Sequence, residues 1–398
     1  MRDKAIWLFA GGEMQAHCAK TITDLGYKLV LTDITPNCYC HDMADIFIQL
    51  DTFDIQGNLS KIEEIQSSVE IAAVLTVAAD CHETVSNVAS TLNLPGIDPH
   101  ISHICRYKHK SRELLSDSGI PQPRFKSVST ISDAKKYAVS LDKPFVIKST
   151  DNSGSRGFSY ARSADEISTE NFNNALTNGT TGKVLIEECL VPLDSEIAEQ
   201  SVETLWINGQ MYWLNWVDRL FRKDFKHFRA LDGSLYDDVS LGVEIGHLNP
   251  AIHDLLTKER IKKMIQKAGI AIGMGSQEGA HFLKADIMLT VNGPQIIELT
   301  PRLSGGWDSS KSTLARGGNF VAAAIQMALG TQIDFDFWDK YFNYENDGLH
   351  AAIFAQIKPD ARDCIGREFA LGTGYDRNVA VSRALQNLKE KKYVLPVE

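Results

Sequence analysis

Lys148 closes the apolar run PFVIK and is followed at once by STDNSGSRG, small polar residues that end in Arg156 and Gly157. An ammonium at the end of a buried strand suits a phosphate oxygen in a cleft better than bulk water. A Ser/Gly loop can bring backbone N–H groups against further phosphate oxygens, because it lacks side chains that would hold a ligand away. Arg156 adds a planar, fork-shaped donor. Ser153, Gly154, Ser155, Arg156 and Gly157 therefore read as a mobile lid over a polyphosphate. The order is not that of a Walker loop, since the lysine precedes the glycines and no Gly-Lys-Ser/Thr follows. An ordinary Ser/Gly surface turn is the competing reading.

Other polar residues line up around this stretch. Lys108 precedes it, and LIEECL then places Glu187 and Glu188 at the end of an apolar strand. A connection between two lobes at that point presents backbone donors and acceptors to an adenine edge. Glu199 and Glu203 follow in EQSVE. Downstream, FLKADIMLTVNGPQIIELTPR carries Asp286 and Glu298 on two apolar runs joined by Asn292-Gly293. Two acids on adjacent antiparallel strands can project from one face and share hard cations through oxygen ligands. Unpaired carboxylates in such runs are costly to bury, and a divalent metal would account for them. Ion pairs, Asp286 with Lys284 or Glu298 with Arg302, are the competing reading.

The elements that must position these groups follow from periodicity. KAIWLFAGG reads as a strand, EMQAHCAKTITDLG as a helix and YKLVLTD as a strand ending at Asp33, a unit that implies a parallel sheet. IEEIQSSV, IAAVLTVA and CHETVSNVASTLN continue the alternation. Gly11-Gly12 is not G-x-G-x-x-G, which argues against a nicotinamide cofactor. Beyond Arg106, KSRELLSDSG reads as a helix, PFVIKST and KVLIEECL as strands, and SVETLWINGQMYWL as a hairpin turning at Asn208-Gly209. TKERIKKMIQKAGIAIGM reads as a helix with a basic outer face, HAAIFAQI as a strand and VAVSRALQNLKEKK as a helix. The start is α/β and the rest α+β. The expected units are residues 1–105, residues 106–330 with a small lobe over about 120–190, and a C-terminal extension over 331–398.

A length of 398 residues exceeds what one core usually holds, and the composition is that of an ordinary globular protein. The net charge of −10 gives no overall attraction to nucleic acid or to an anionic membrane. The N-terminal apolar run is too short for a signal peptide, and no run reaches the roughly 18 apolar residues of a membrane span. Seven scattered cysteines point to a reduced, cytoplasmic protein and not to a disulfide framework. CYCHD is a poor match to zinc spacing and reads as a loop, and HISHICRYKHK reads as a polar connection.

Taken in order, these pieces resemble the ATP-grasp family, in particular its carboxylate–amine ligases and the ATP-binding part of carbamoyl-phosphate synthase large chains. The resemblance covers roughly residues 4–330 and rests on WLFAGGEMQ, LPGI, YKHKSRELLSDSGIPQP, PFVIKSTDNSGSRG, LIEECL, VEIGHLNPA and IIELTPRLSGG. It implies an ATP-grasp fold behind a Rossmann-like N-terminal domain, with ATP and Mg²⁺ as cofactors. Carried over by position, Lys108 and Lys148 would hold phosphates and residues 153–157 would form the lid. Glu187 would accept from the adenine amino group, with Glu188 beside it and the backbone of Cys189 and Leu190 along the ring, and Glu199 would bond the ribose. Asp286 and Glu298 would bind two Mg²⁺ ions, and Arg302 would steady an acyl phosphate. One departure stands out: the family usually has Asn where ELTPR has Thr300, a weaker metal donor.

The resemblance implies ligation through an acyl phosphate, with a small carboxylate and an amine as partners and a homodimer allowed. SGGWDSSKSTLAR is expected to line the acceptor pocket. Ser304, Gly305 and Gly306 would offer backbone contacts, Trp307 a flat apolar wall, and Lys311 and Arg316 a hold on a second carboxylate. A solvated helix face is the alternative for the two cations. Bicarbonate activation and non-catalytic ATP sensing are the rival functions. The tail past residue 330 has no second synthetase half and no biotin-carrier lysine motif, which argues against the first.

Overall fold

The computed structural model describes residues 2–152, 156–228, 243–342, 348–356 and 368–395. Strands β1 (Lys4–Phe9), β2 (Lys28–Asp33), β3 (Ile46–Gln49) and β4 (Glu70–Leu75) form a parallel sheet in the order 3-2-1-4. Its central strands read as unbroken apolar runs because helices cover both faces. The short strand β3 has no turn signal of its own and was not legible in the sequence.

Strands β5 (Phe125–Val128), β6 (Phe145–Ser149), β7 (Ser159–Ala161) and β8 (Val184–Glu188) make a small antiparallel sheet in the order 5-8-6-7. Its apolar face packs on helices Ile131–Leu141 and Thr169–Thr177. The remaining strands form one seven-stranded antiparallel sheet: β9 (Glu199–Ile207), β10 (Gln210–Phe221), β11 (Glu244–Asn249), β12 (Ala280–Thr290), β13 (Gly293–Thr300), β14 (His350–Gln356) and β15 (Glu368–Gly374), in the order 13-12-9-10-11-14-15. Both predicted hairpins are present. At the first, Asn208 and Gly209 both take positive φ, 48° and 81°, the backbone that a tight hairpin turn requires.

One face of the large sheet is apolar and packs on helix Leu255–Ile272. There Gly269 lies so close to Trp206 that an added Cβ would meet the indole at 2.1 Å. HISHICRYKHK is not a loose connection. It forms all but the first residue of helix Pro99–Arg106 and the start of helix Lys108–Asp117, with the His103 imidazole on Glu83 at 2.6 Å. No helix among the described residues is long and apolar enough to cross a membrane.

Candidate active site

The other face of the large sheet carries the polar residues, and strand register sets them in rows. Asp286 lies opposite Glu298 on one side and Ser201 on the other. The next row runs Thr300, Lys284, Glu203, Asn215, and beyond it Met288 lies opposite Glu199, whose carboxylate reaches Arg219, the residue that faces His247. Cross-strand partners share a face, so a period of two in four strands gathers acids and cations on one surface.

The two lysines approach this face from the small-sheet side. Lys108 begins helix Lys108–Asp117, and its Nζ lies 2.6 Å from Glu298 Oε1 and 2.8 Å from Asn152 O. Lys148, on β6, pairs with Glu187 on the neighbouring β8. Glu187 is 2% exposed and receives Arg112 Nε on its other oxygen at 2.6 Å. Burial works against its charge, but the two cations outweigh burial and hold its carboxyl at about 2. The Lys148 ammonium is pushed down by the same burial, against the pull of Glu187. The Glu187 carboxylate is thus already engaged. Glu188 pairs with Arg124 at 2.8 Å, and the Cys189 N–H donates to Pro144 O at 2.8 Å, with Leu190 next in the chain. Of the glycine-rich loop, Ser153, Gly154 and Ser155 lie outside the described residues. Gly157 has φ 73°, and a Cβ there would meet helix Thr169–Thr177 at Ala175 Cα, 3.1 Å away. Glu199 pairs with Arg219 at 3.1 Å, and burial raises its carboxyl to about 7.

The acid pair is where the hairpin puts it. Lys284 Nζ sits 2.7 Å from Asp286 Oδ2, the ion pair the sequence offered as an alternative. Glu298 is paired with Lys108 and not with Arg302. Burial opposes the charge of both acids, yet their lysines keep both carboxyls below the usual range. Asp286 Oδ1 is buried without a partner among the described residues. That orphaned oxygen beside Glu298 fits a divalent cation. Among the described residues no three His, Cys, Asp or Glu form a ready metal cage, but Mg²⁺ bridging phosphates needs only one or two protein carboxylates. Thr300 is buried at the end of the same strand, opposite Lys284.

Arg302 is bound by Asp80, from the parallel-sheet region, and donates to Leu303 O at 2.5 Å. The segment after it folds over the sheet face. Ser304 N donates to Glu203 Oε1 at 2.7 Å, Ser309 Oγ to the same oxygen at 3.0 Å, and Asn215 Nδ2 to Oε2 at 2.9 Å. Asp308 accepts from Ser312 Oγ at 2.9 Å. Burial raises Glu203 to about 7 and Asp308 to about 6, and lowers His247 to about 4. Gly305 and Gly306 form the turn before Trp307, which is not an open wall. It is 2% exposed and packs edge-on against Phe369 at 5.9 Å. Lys311 and Arg316 are buried, so neither lies on a solvated helix face. Arg316 donates to Asn249 Oδ1 at 2.7 Å and Leu349 O at 2.9 Å.

Arg112, Asp80, Arg219, Asp308 and His247 were not singled out from the sequence. Two of them left a signal. Arg112 stands three residues before Leu115, on the inward stripe of its helix, and Arg219 interrupts the apolar run WLNWVDRLF.

Residues 107–305 match the phosphoribosylglycinamide synthetase ATP-grasp (A) domain. The chain is 24% identical over 299 residues to the uncharacterized protein y4rH of Sinorhizobium fredii (strain NBRC 101917 / NGR234), a match covering 71% of this chain and 54% of that protein. The match thus spans about half the length of that curated relative. Among solved structures, phosphoribosylglycinamide synthetase from Anaerococcus prevotii superposes with a TM-score of 0.68 at 16% identity, covering 100% of both chains. L-amino acid ligase from Bacillus licheniformis superposes with a TM-score of 0.66 at 18% identity, covering 89% of this chain and 80% of that one. The mixed α/β architecture, with a parallel sheet ahead of two antiparallel ones, is the fold these proteins share. With half its length matching the family's nucleotide-binding domain, the chain belongs to the ATP-grasp family of ATP-dependent ligases.

Proposed function

We propose that the protein joins a small carboxylate, with an amino acid as the favoured substrate, to an amine through an acyl phosphate, releasing ADP and phosphate. The observation that carries this reading is the cross-strand pairing of Asp286 with Glu298, with Lys108 on Glu298 and Arg302 just beyond Thr300. Phosphoryl transfer needs positioning and charge neutralisation more than covalent help from the protein.

Lys108, Lys148 and the 153–157 loop hold the phosphates, and the segment Glu187–Leu190 with Glu199 borders the nucleoside. Asp286, Glu298 and Thr300 would hold Mg²⁺, which when bound supplies charge neutralisation on the phosphate oxygens. The substrate carboxylate, oriented by Arg302, attacks the γ-phosphorus, and the bond to the β-phosphate oxygen breaks as ADP leaves. The amine then adds to the acyl carbon, phosphate departs with the C–O bond, and the amine loses a proton. Arg302 follows the same oxygen from carboxylate to oxyanion. The acyl phosphate is prone to hydrolysis, so a closed loop also excludes water. The buried acids Glu203 and Asp308 favour a cationic ammonium beyond Arg302.

The test mixes protein, Mg-ATP and pools of amino acids and small carboxylates with hydroxylamine, which traps acyl phosphates as hydroxamates. Wild type is expected to yield hydroxamate. Arg302→Lys, which keeps charge but loses the planar fork, should bind ATP normally and lose roughly a hundredfold in hydroxamate. Bicarbonate as the only stimulating acid would replace this reading with carboxyphosphate chemistry, and no ATP turnover in any pool would leave a nucleotide-binding protein without ligase activity.

A further inference from the structure

The loop between β4 and helix His82–Thr91 is held tightly from below. Gln15, 2% exposed, donates to Phe9 O at 3.2 Å and to Thr76 Oγ1 at 2.7 Å, and accepts from Val77 N at 3.2 Å. The loop stands at the carboxyl end of a parallel strand, where open α/β sheets place their ligands. It meets the segment that carries Arg302: a Cβ on Gly305 would sit 3.5 Å from Ala78 O. From this loop Asp80 reaches Arg302, and its Oδ1 accepts from both Nε, at 3.2 Å, and Nη2. A third donor, on Nη1, is taken by Leu303 O at 2.5 Å. A guanidinium has five N–H groups in a fixed plane. Among the described residues, one N–H on each terminal nitrogen is left, enough to grip one carboxylate. Beside the pair His82 is 5% exposed, and neither ring nitrogen has a partner among the described residues. A buried imidazole with two unmet positions marks hydrogen-bonding capacity that the protein itself does not use.

We propose that Asp80 is a positioning residue for Arg302, fixing the guanidinium plane so that its two remaining N–H groups hold the substrate carboxylate, and that residues 76–82 form the wall of that subsite. This rests on the ligase reading above. It gives the parallel-sheet region a direct part in substrate binding. A long, flexible side chain loses less on binding when its plane is already set, so the effect falls on the carboxylate and not on the nucleotide.

The experiment uses the full chain and the pool member that gives most hydroxamate with wild type. Asp80→Ala should raise the KM for that carboxylate tenfold or more, with Mg-ATP affinity by calorimetry within twofold of wild type. Asp80→Asn, which keeps an oxygen acceptor in place, should restore KM to within about threefold. An unchanged KM in Asp80→Ala overturns the proposal, as does a lower KM, which would make Asp80 a competitor for the fork. Parallel loss of carboxylate and Mg-ATP binding would make its role structural. If Asp80→Ala does not fold, Asp80→Ser, whose hydroxyl is too short to reach Arg302, is held to the same outcomes, and failure of both to fold also overturns it. Wild type that forms no hydroxamate in any pool sinks the ligase reading and this proposal together. Normal wild-type turnover with an indifferent Asp80→Ala sinks the proposal alone.

Discussion

Glu298 is a residue whose two explanations make opposite demands. As a mere partner for Lys108 Nζ, 2.6 Å away, its oxygen could be replaced by an amide oxygen at little cost. As a metal ligand it could not, because an uncharged amide serves Mg²⁺ poorly. Glu298→Gln is therefore expected to keep its melting temperature within a few degrees and to lose Mg²⁺-dependent ADP release a hundredfold or more. Retained ADP release at ordinary Mg²⁺ concentrations would return the residue to the ion-pair reading. At this scale the sequence was informative about which residues cluster and poor about whom they touch. The Asp286–Lys284 pair, at 2.7 Å, was legible because the partners are two apart on one strand. Lys108 with Glu298, Arg112 with Glu187 and Asp80 with Arg302 join residues far apart in the chain, and no local pattern announces such contacts. Lys311 and Arg316 read either as a hold on a second carboxylate or as a solvated helix face, and the segment folding over the sheet buries them.

Between β8 and β9 the chain crosses from the small sheet to the large one, and a histidine fastens that crossing. His253 places Nδ1 on Glu196 and Nε2 on Asp218 Oδ1 at 2.7 Å, while Arg377 binds the other oxygen of Asp218. Gln200 touches the same ring nitrogen, and Trp216 stacks on the ring at 5.1 Å. An imidazole can donate from both nitrogens only when protonated. Burial opposes that charge, but the two carboxylates outweigh burial and raise the pKa above 6.5. With a folded pKa above the unfolded one, the stabilisation is complete below pH 6.5 and is lost as pH rises through the folded value. Glu203, raised to about 7, and Asp308, raised to about 6, act in the same direction at lower pH, because the native state holds their protons longer than the unfolded chain does. Thermal stability should therefore fall as pH rises from about 6.5 to 8, whereas below pH 6.5 His82 and His247, which burial lowers to about 3 and about 4, act in the opposite direction. His253→Gln should flatten the upper part of that slope and Glu203→Gln the lower. A wild-type profile that rises across this range would contradict both assignments. Hairpins and amphipathic helices were legible at this scale because their signals are local. The clamp was not, since it joins β9 and β10, the loops that carry Glu196 and His253, and the start of helix Arg377–Lys389.

For the whole molecule, what counts is that the cations of the proposed nucleotide side are already matched by its own acids: Lys108 by Glu298, Lys148 and Arg112 by Glu187, Arg219 by Glu199, Glu244 and Asp286. In a chain of net charge −10, such a site offers little net field to an approaching polyanion. The association rate for Mg-ATP is expected to change less than about threefold between 50 and 500 mM salt, read by stopped-flow fluorescence. A steep fall with salt would mean an unmatched positive patch. The gathering of β14 and β15 into the same sheet as β9–β13 was beyond the sequence, where the tail showed only one strand and one helix.

The Lys108 ammonium touches Asn152 O, at the foot of the glycine-rich loop, and Glu298 Oε1, on β13. One atom therefore joins the small-sheet region to the large sheet. If Lys108 holds phosphate as proposed, the phosphate meets an ammonium that already spans both regions, through the third of its N–H groups. A ligand that brings a base and sugar but no phosphate would, on that reading, leave this bridge between the two regions unengaged.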